Sequence, residues 1–149
     1  MILVKTRKAE SSIHGSGVFA AEFIRKGTVI WRFEKGFDRA ISWHDWQQLA
    51  PVDKNDWEKY GYVSRITGHV VRAGDDYVYV NHSHHPNVGV SPLIEAPEGF
   101  DIALCDIQPG EELTFDYLWF GEDPCCRPGE GRLPPLESFL PPPKRRASR

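Results

Sequence analysis

At 149 residues the chain is one domain by length, long enough to bury a core without disulfides or metals. No stretch approaches the roughly 18 apolar residues of a membrane span, and the opening MILVKTRKAESS lacks the apolar block of a secretory signal. The formal charge of -3 hides an asymmetry: the last nine residues hold four basic and no acidic groups, which leaves -7 on residues 1–140.

An acidic body suits a cationic partner such as a lysine-rich peptide and disfavours direct nucleic-acid binding, although solubility alone accounts for such a charge as readily. The three cysteines are Cys105, Cys125 and Cys126. Their odd number and the adjacent pair argue against a disulfide framework and for a reducing, cytoplasmic or otherwise intracellular setting.

Taken in chain order, MILVKT reads as a strand, and HGSGVFA as a tight turn running into another. TVIWRFE is a third strand after the Arg25-Lys26-Gly27 turn. Ser42 is placed as a helix N-cap with Asp45 three residues on, and that helix ends at Pro51. A second helix is predicted from about Asp53 to Gly61, with Trp43, Trp46 and Trp57 on the apolar faces of the pair. Strands are expected again at His69–Arg72, at Tyr77–Val80 with period two, at Val88–Val90, at Phe100–Cys105 and at Leu113–Phe115. Beyond Gly121 seven prolines and no periodicity predict loop that becomes a disordered basic tail. Many short strands around one helical insert, at about residues 42–67, give a mainly β fold with short helices.

Three runs carry residues awkward in an ordinary core. Gly15-Ser16-Gly17 lets backbone groups approach a ligand closely, although a plain hairpin turn is the ordinary reading of Gly-x-Gly. It is not the dinucleotide fingerprint, because no helix follows. Asn81-His82 at the end of a buried strand offers matched donors and acceptors to a ring such as adenine. The cluster His82, His84 and His85 raises a metal. Neighbouring residues on an extended chain point to opposite sides, so His84 and His85 do not share one ion, and no further ligand stands at a recognisable spacing. No metal is expected; a polar turn held by Asn and Ser side chains is the plainer alternative. Tyr117, past Asp116 at the end of a core strand, is either a packed tyrosine with a satisfied hydroxyl or a group that orients a nucleophile.

In this order the runs resemble the SET-domain protein lysine methyltransferases. The family's Gly-x-Gly corresponds to Gly15–Gly17, and its Asn-His-Ser with a short gap and Pro-Asn to Asn81–Asn87. Its Gly-Glu-Glu-Leu-Thr-Phe-Asp-Tyr corresponds to Gly110–Tyr117, preceded by Ala103-Leu104-Cys105-Asp106-Ile107. The resemblance covers about residues 4–120 and implies small β-sheets with a C-terminal pseudoknot, a topology that general rules disfavour. It implies a SET domain over residues 1–122 and a Pro-rich post-SET-like segment with a basic tail over 123–149. It also implies S-adenosyl-L-methionine as methyl donor, bound by His14, Gly15, Ser16 and Gly17, by Asn81 and His82, and beside Tyr117. The substrate implied is a lysine side chain of a histone, histone-like or other basic protein. Tyr117 and Phe115 are the catalytic candidates: Tyr117 would orient amine and methyl, and Phe115 would line the lysine channel. Because Phe115 lacks a hydroxyl to hold water in the space of added methyls, di- or trimethylation is expected.

The match breaks at several points. His84 replaces the usual cysteine, and Val78 an arginine. Many relatives close the site with a zinc-binding Cys-x-Cys segment. Here Cys125 and Cys126 are adjacent with no third cysteine after them, so no zinc cluster is expected. Trp119, Phe120 and Leu133, or the second subunit of a homodimer, would cover the channel instead. The chain resembles small stand-alone bacterial and viral forms. The competing readings are a non-catalytic SET-like module that binds a lysine-bearing peptide, and a metal-dependent hydrolase, which lacks ligands and a base.

Overall fold

The computed structural model describes residues 1–64, 66–91 and 98–117. The expectations for residues 118–149, including the domain division at 122, the cysteine pair, the cover from Trp119, Phe120 and Leu133 and the basic tail, lie outside the described residues.

The chain begins with a hairpin of β1 (Thr6–Glu10) and β2 (Ser16–Ala20), paired antiparallel from Thr6↔Ala20 to Glu10↔Ser16. β3 (Val29–Arg32) and β4 (Arg39–Ile41) precede α1 (Trp43–Gln48) and α2 (Pro51–Tyr60), and β5 (Tyr62–Val63) and β6 (Val70–Arg72) follow them. Next come a 3-10 turn (Asp76–Tyr79), β7 (Asn81–His82), β8 (Val88–Val90), β9 (Phe100–Ala103) and β10 (Thr114–Phe115). Besides the hairpin there are two sheets, β4-β6-β5 and β3-β9-β8-β10-β7. The mainly β architecture with short helices is as expected.

Local chemistry explains most boundaries. Ser42 caps α1 by accepting from the Asp45 amide at 3.0 Å, and Leu49 and Ala50 turn extended ahead of Pro51. α2 begins at Pro51 rather than near Asp53, because proline suits the first helical position, where its missing N–H costs no bond. Trp46 and Trp57 are buried with Val70, and Trp43 stacks on Trp46 at 4.8 Å. That satellite core seats the helical pair on the small sheet.

Two expected strands differ. The first strand lies at Thr6–Glu10, later than MILVKT, while Leu3 donates to Ile30 O at 2.8 Å and Ile2 only bridges to Trp31. Tyr77–Val80 alternates like a strand but curls into the 3-10 turn. The Asp75 carboxylate accepts from the Tyr77 amide at 3.1 Å, closing the turn locally before any ladder partner is reached. Tyr77 is buried in the main core with its ring stacked on Trp31 at 5.4 Å.

The C-terminal strand gives the molecule its topology. β10 lies between β7 and β8, parallel to both, with Thr114 opposite Asn81 and Phe115 opposite His82 and Val88. Residues 83–87, which join β7 to β8, therefore cross the end of the strand inserted between them. This is the pseudoknot the resemblance implies. Asn87 holds the crossing: its Nδ2 donates to Glu112 O at 2.8 Å and its Oδ1 accepts from the Thr114 amide at 2.9 Å. Beneath it Val18, Val88, Ile107, Leu113 and Phe115 are at most 1 % exposed. Burying a side chain of this size contributes roughly 1.5–3 kcal/mol.

Asn87→Ala removes both bonds and leaves a backbone donor and acceptor at the crossing without partners. It should lower the unfolding free energy by about 2–4 kcal/mol in urea titration. A loss under about 0.5 kcal/mol, the scale of an ordinary surface substitution, would contradict this role.

A second prediction concerns Asp101, 4 % exposed, which accepts from the Tyr77 hydroxyl at 2.7 Å. Burial lifts its pKa from 3.8 to about 7, against the lowering pull of that hydrogen bond. Between those values the folded state keeps a proton that the unfolded chain has released. Stability from this group is thus full below about 4 and declines as pH rises to about 7. The fall is on the order of 1.4 kcal/mol per pH unit. Asp101→Asn, which still accepts from Tyr77, should flatten that slope and be more stable than the parent at about pH 8. Denaturation curves with an unchanged slope would contradict the assignment.

Candidate active site

The crossing brings together runs far apart in sequence. Asn81, 8 % exposed on β7, turns its amide nitrogen toward the hairpin: Nδ2 donates to His14 O and Ser16 O, each at 3.1 Å, and to Glu112 Oε1 at 2.8 Å. Three acceptors around Nδ2 fix the orientation of the amide, which density alone seldom distinguishes. The hydrogen bonds of the Asn81 side chain among the described residues are all made through Nδ2, none through Oδ1. The structure thus brings His14, Ser16 and Asn81 together, His14 and Ser16 through their carbonyls rather than their side chains.

The two glycines serve different ends. Gly15 has φ +49° with open space around it, which fits the turn of the hairpin. A Cβ on Gly17 would come within 2.3 Å of Glu112 Oε1. In the folded chain, then, Gly17 admits a carboxylate, whereas the sequence reading assigned its bareness to the approach of a ligand.

Tyr117 follows β10, and its backbone amide donates to His82 Nδ1 at 3.1 Å. In that bond the His82 Nδ1 is the acceptor. Asp116 Oδ1 lies 3.8 Å from the same Nδ1, beyond hydrogen-bond reach. The Tyr117 ring sits 5.3 Å from the His82 ring, and its hydroxyl donates to Val80 O at 2.7 Å. The residue is half-exposed, yet burial around the phenol pushes its pKa up. Its proton is committed to the Val80 carbonyl. Such a group orients and is not a base near neutral pH.

Phe115 is 1 % exposed and belongs to the main core. The structure thus places this ring within the core, where the sequence reading had it lining the lysine channel.

Sequence spacing missed two participants. His82, His84 and Asp116 offer ligand atoms all within 4.8 Å of one another. The alternation rule separates His84 from His85 but equally puts His82 and His84 on one side, and Asp116 arrives only through the threading of β10. In this arrangement the Nδ1 lone pair of His82 is occupied by the Tyr117 amide. The other is Glu112, read from sequence only as half of an acidic pair. Glu111 closes its own turn by accepting from the Gln108 amide, whereas Glu112 reaches across to Ser11 and Asn81.

A histone-lysine N-methyltransferase, H3 lysine-4 specific, of Chaetomium globosum is 33% identical over 119 residues, covering 73% of this chain and 10% of that protein. This chain thus spans about a tenth of that relative. Among solved structures, Polycomb Repressive Complex 2 of Chaetomium thermophilum bound to S-adenosylmethionine gives a TM-score of 0.57 at 21% identity, over 80% of this chain and 16% of that one. A candidate histone methyltransferase of Plasmodium falciparum gives 0.52 at 24% identity, over 78% and 95% of the two chains. At these identities the structures show a shared fold. The family model of the SET domain matches residues 15–118, and the chain belongs to the SET-domain family.

Proposed function

We propose that this chain transfers methyl groups from S-adenosyl-L-methionine to the side-chain amine of lysine in a protein substrate. The observation that carries the reading is the juxtaposition of Tyr117 with Asn81 and His82 across the crossed strands. Membership of the SET family and the likeness to a named histone-lysine N-methyltransferase support it.

The residues present suit the donor. Asn81 Oδ1 faces away from its three hydrogen-bond partners and can accept from an N–H group, and S-adenosylmethionine carries both an ammonium and an exocyclic amine. When bound, the donor supplies an electrophilic sulfonium methyl. The rest falls to this chain. A lysine amine must reach the site without its proton, and a desolvating channel lowers its pKa toward neutrality. The Tyr117 oxygen, its proton held by Val80 O, accepts from the amine N–H and aligns the nitrogen lone pair for in-line attack. Most of the acceleration comes from that alignment. The half-exposed His82 and Tyr117 rings offer π faces to a cationic product.

The acidic body favours a basic substrate such as a histone or histone-like protein. We further propose two or three methyls per lysine, because Phe115 carries no hydroxyl to hold water in the space of added methyls. The competing reading, a binding module without turnover, shares the fold and differs in the outcome of a single assay.

That assay is methyl transfer from labelled S-adenosylmethionine to histone, ribosomal-protein and lysate substrates. The wild type should label a protein. Tyr117→Phe should lose about 100-fold or more in kcat while donor affinity stays within a few-fold, since it removes alignment and not the donor contacts. Donor binding without transfer to any substrate would favour the binding module. Mass spectrometry of the product at exhaustive turnover should show di- or trimethyl-lysine; monomethyl product alone would contradict the part assigned to Phe115.

A further inference from the structure

The acidic pair after the Pro109-Gly110 turn has no part in the proposed chemistry, yet one member stands at the centre of the site's hydrogen bonds. Ser11 Oγ lies 2.8 and 2.9 Å from the two oxygens of Glu112, and Asn81 Nδ2 lies 2.8 Å from Oε1. Gly17 is the residue whose missing Cβ makes room for that oxygen. Ser11 in turn accepts from the Ile13 amide at 2.9 Å and shapes the hairpin loop through its own amide, which donates to Gly15 O at 2.8 Å. The Glu112 carbonyl meanwhile accepts from Asn87. One residue thus ties together the hairpin loop, the strand that carries Asn81 and the crossing.

We infer that Glu112, seated by Ser11 and Gly17, is a positioning residue that, together with the carbonyls of His14 and Ser16, holds the Asn81 amide with its oxygen toward the methyl donor. The inference rests on the reading of Asn81 as a donor contact. A carboxylate only accepts, so it can face Nδ2 but not Oδ1. Flipping Asn81 would set its oxygen against the Glu112 carboxylate and against the carbonyls of His14 and Ser16. Of the three, the ionised group makes the strongest bond. With Nδ2 so held, Oδ1 is turned outward and requires an N–H group from its ligand. The site then selects a donor with an amine or ammonium at that point and discriminates against a carboxylate or ether oxygen there.

The test separates positioning from fold and from the functional reading. Glu112→Ala should weaken S-adenosylmethionine binding at least about tenfold by calorimetry, with kcat at saturating donor changed by less than about threefold. Glu112→Gln should recover most of the affinity, because its amide oxygen can face Asn81 while its nitrogen faces Ser11. Gly17→Ala, whose Cβ would meet Glu112 Oε1 at 2.3 Å and Ser11 Cβ at 3.0 Å, should weaken binding alone and weaken it less in the Glu112→Ala background than in the parent. Additive losses would mean that Gly17 serves the ligand directly, and would overturn the inference, as would unchanged affinity in Glu112→Ala. An independent readout needs no donor. The Asn81 side-chain amide protons should exchange slowly in the wild type and in Glu112→Gln, and much faster in Glu112→Ala; equal exchange in all three overturns the inference. Absence of donor binding in the wild type would instead count against the proposed function, while the exchange measurement still decides the role of Glu112.

Discussion

The rest of the structure depends on the grip of Asn87 on the last described strand. Its side-chain amide acts as one more peptide unit, giving a donor to Glu112 O and taking one from the Thr114 amide. Parallel strands ordinarily need a long crossover. Here β7 and β8 are joined by residues 83–87 alone, because β10 occupies the gap between them and both neighbours are very short. A two-residue strand has little ladder of its own. Side-chain hydrogen bonds and a dry core beneath it, with Phe115 and Leu113 almost fully buried, replace what length would have supplied.

That arrangement determines the chemistry. Asn81 and His82 lie directly opposite Thr114 and Phe115, so the register of β10 decides how far Tyr117 stands from them. A slip by one residue would move Phe115 out of the core and redirect Tyr117. The Tyr117 amide on His82 Nδ1 and its hydroxyl on Val80 O complete the lock, with polar bonds placed where an apolar ring alone would leave the register loose.

Much of this was legible in the sequence. Ser42 with Asp45, and Pro51 after them, mark the helical pair by local capping rules. The strands at Phe100 and Val88 stand out as short runs bounded by Pro and Gly. Elements set by distant partners were not legible. β1 carries exposed polar residues whose strand character comes only from pairing with β2. Tyr77–Val80 has a strand's alternation, but the Asp75 side chain captures the Tyr77 amide first. At the site, the motif order singled out Asn81, His82 and Tyr117, which the crossed strands bring together. The motif did not reveal that Gly17 is bare for the sake of Glu112, or that Asp116 comes near His82 and His84, since both follow from the threading of β10. Adjacent acids on an extended segment point to opposite sides, and that alone would have directed one member of the Glu111-Glu112 pair inward.

The central claim is that the crossed strands build one site in which Asn81 receives the donor and Tyr117 faces its reactive centre. A crystal structure of the chain with S-adenosylhomocysteine tests it most directly. The account predicts a ligand N–H within hydrogen-bond reach of Asn81 Oδ1, Nδ2 still turned to Glu112, and the thioether sulfur directed toward the Tyr117 hydroxyl. A ligand bound away from Asn81, or one whose sulfur points away from Tyr117, would contradict it.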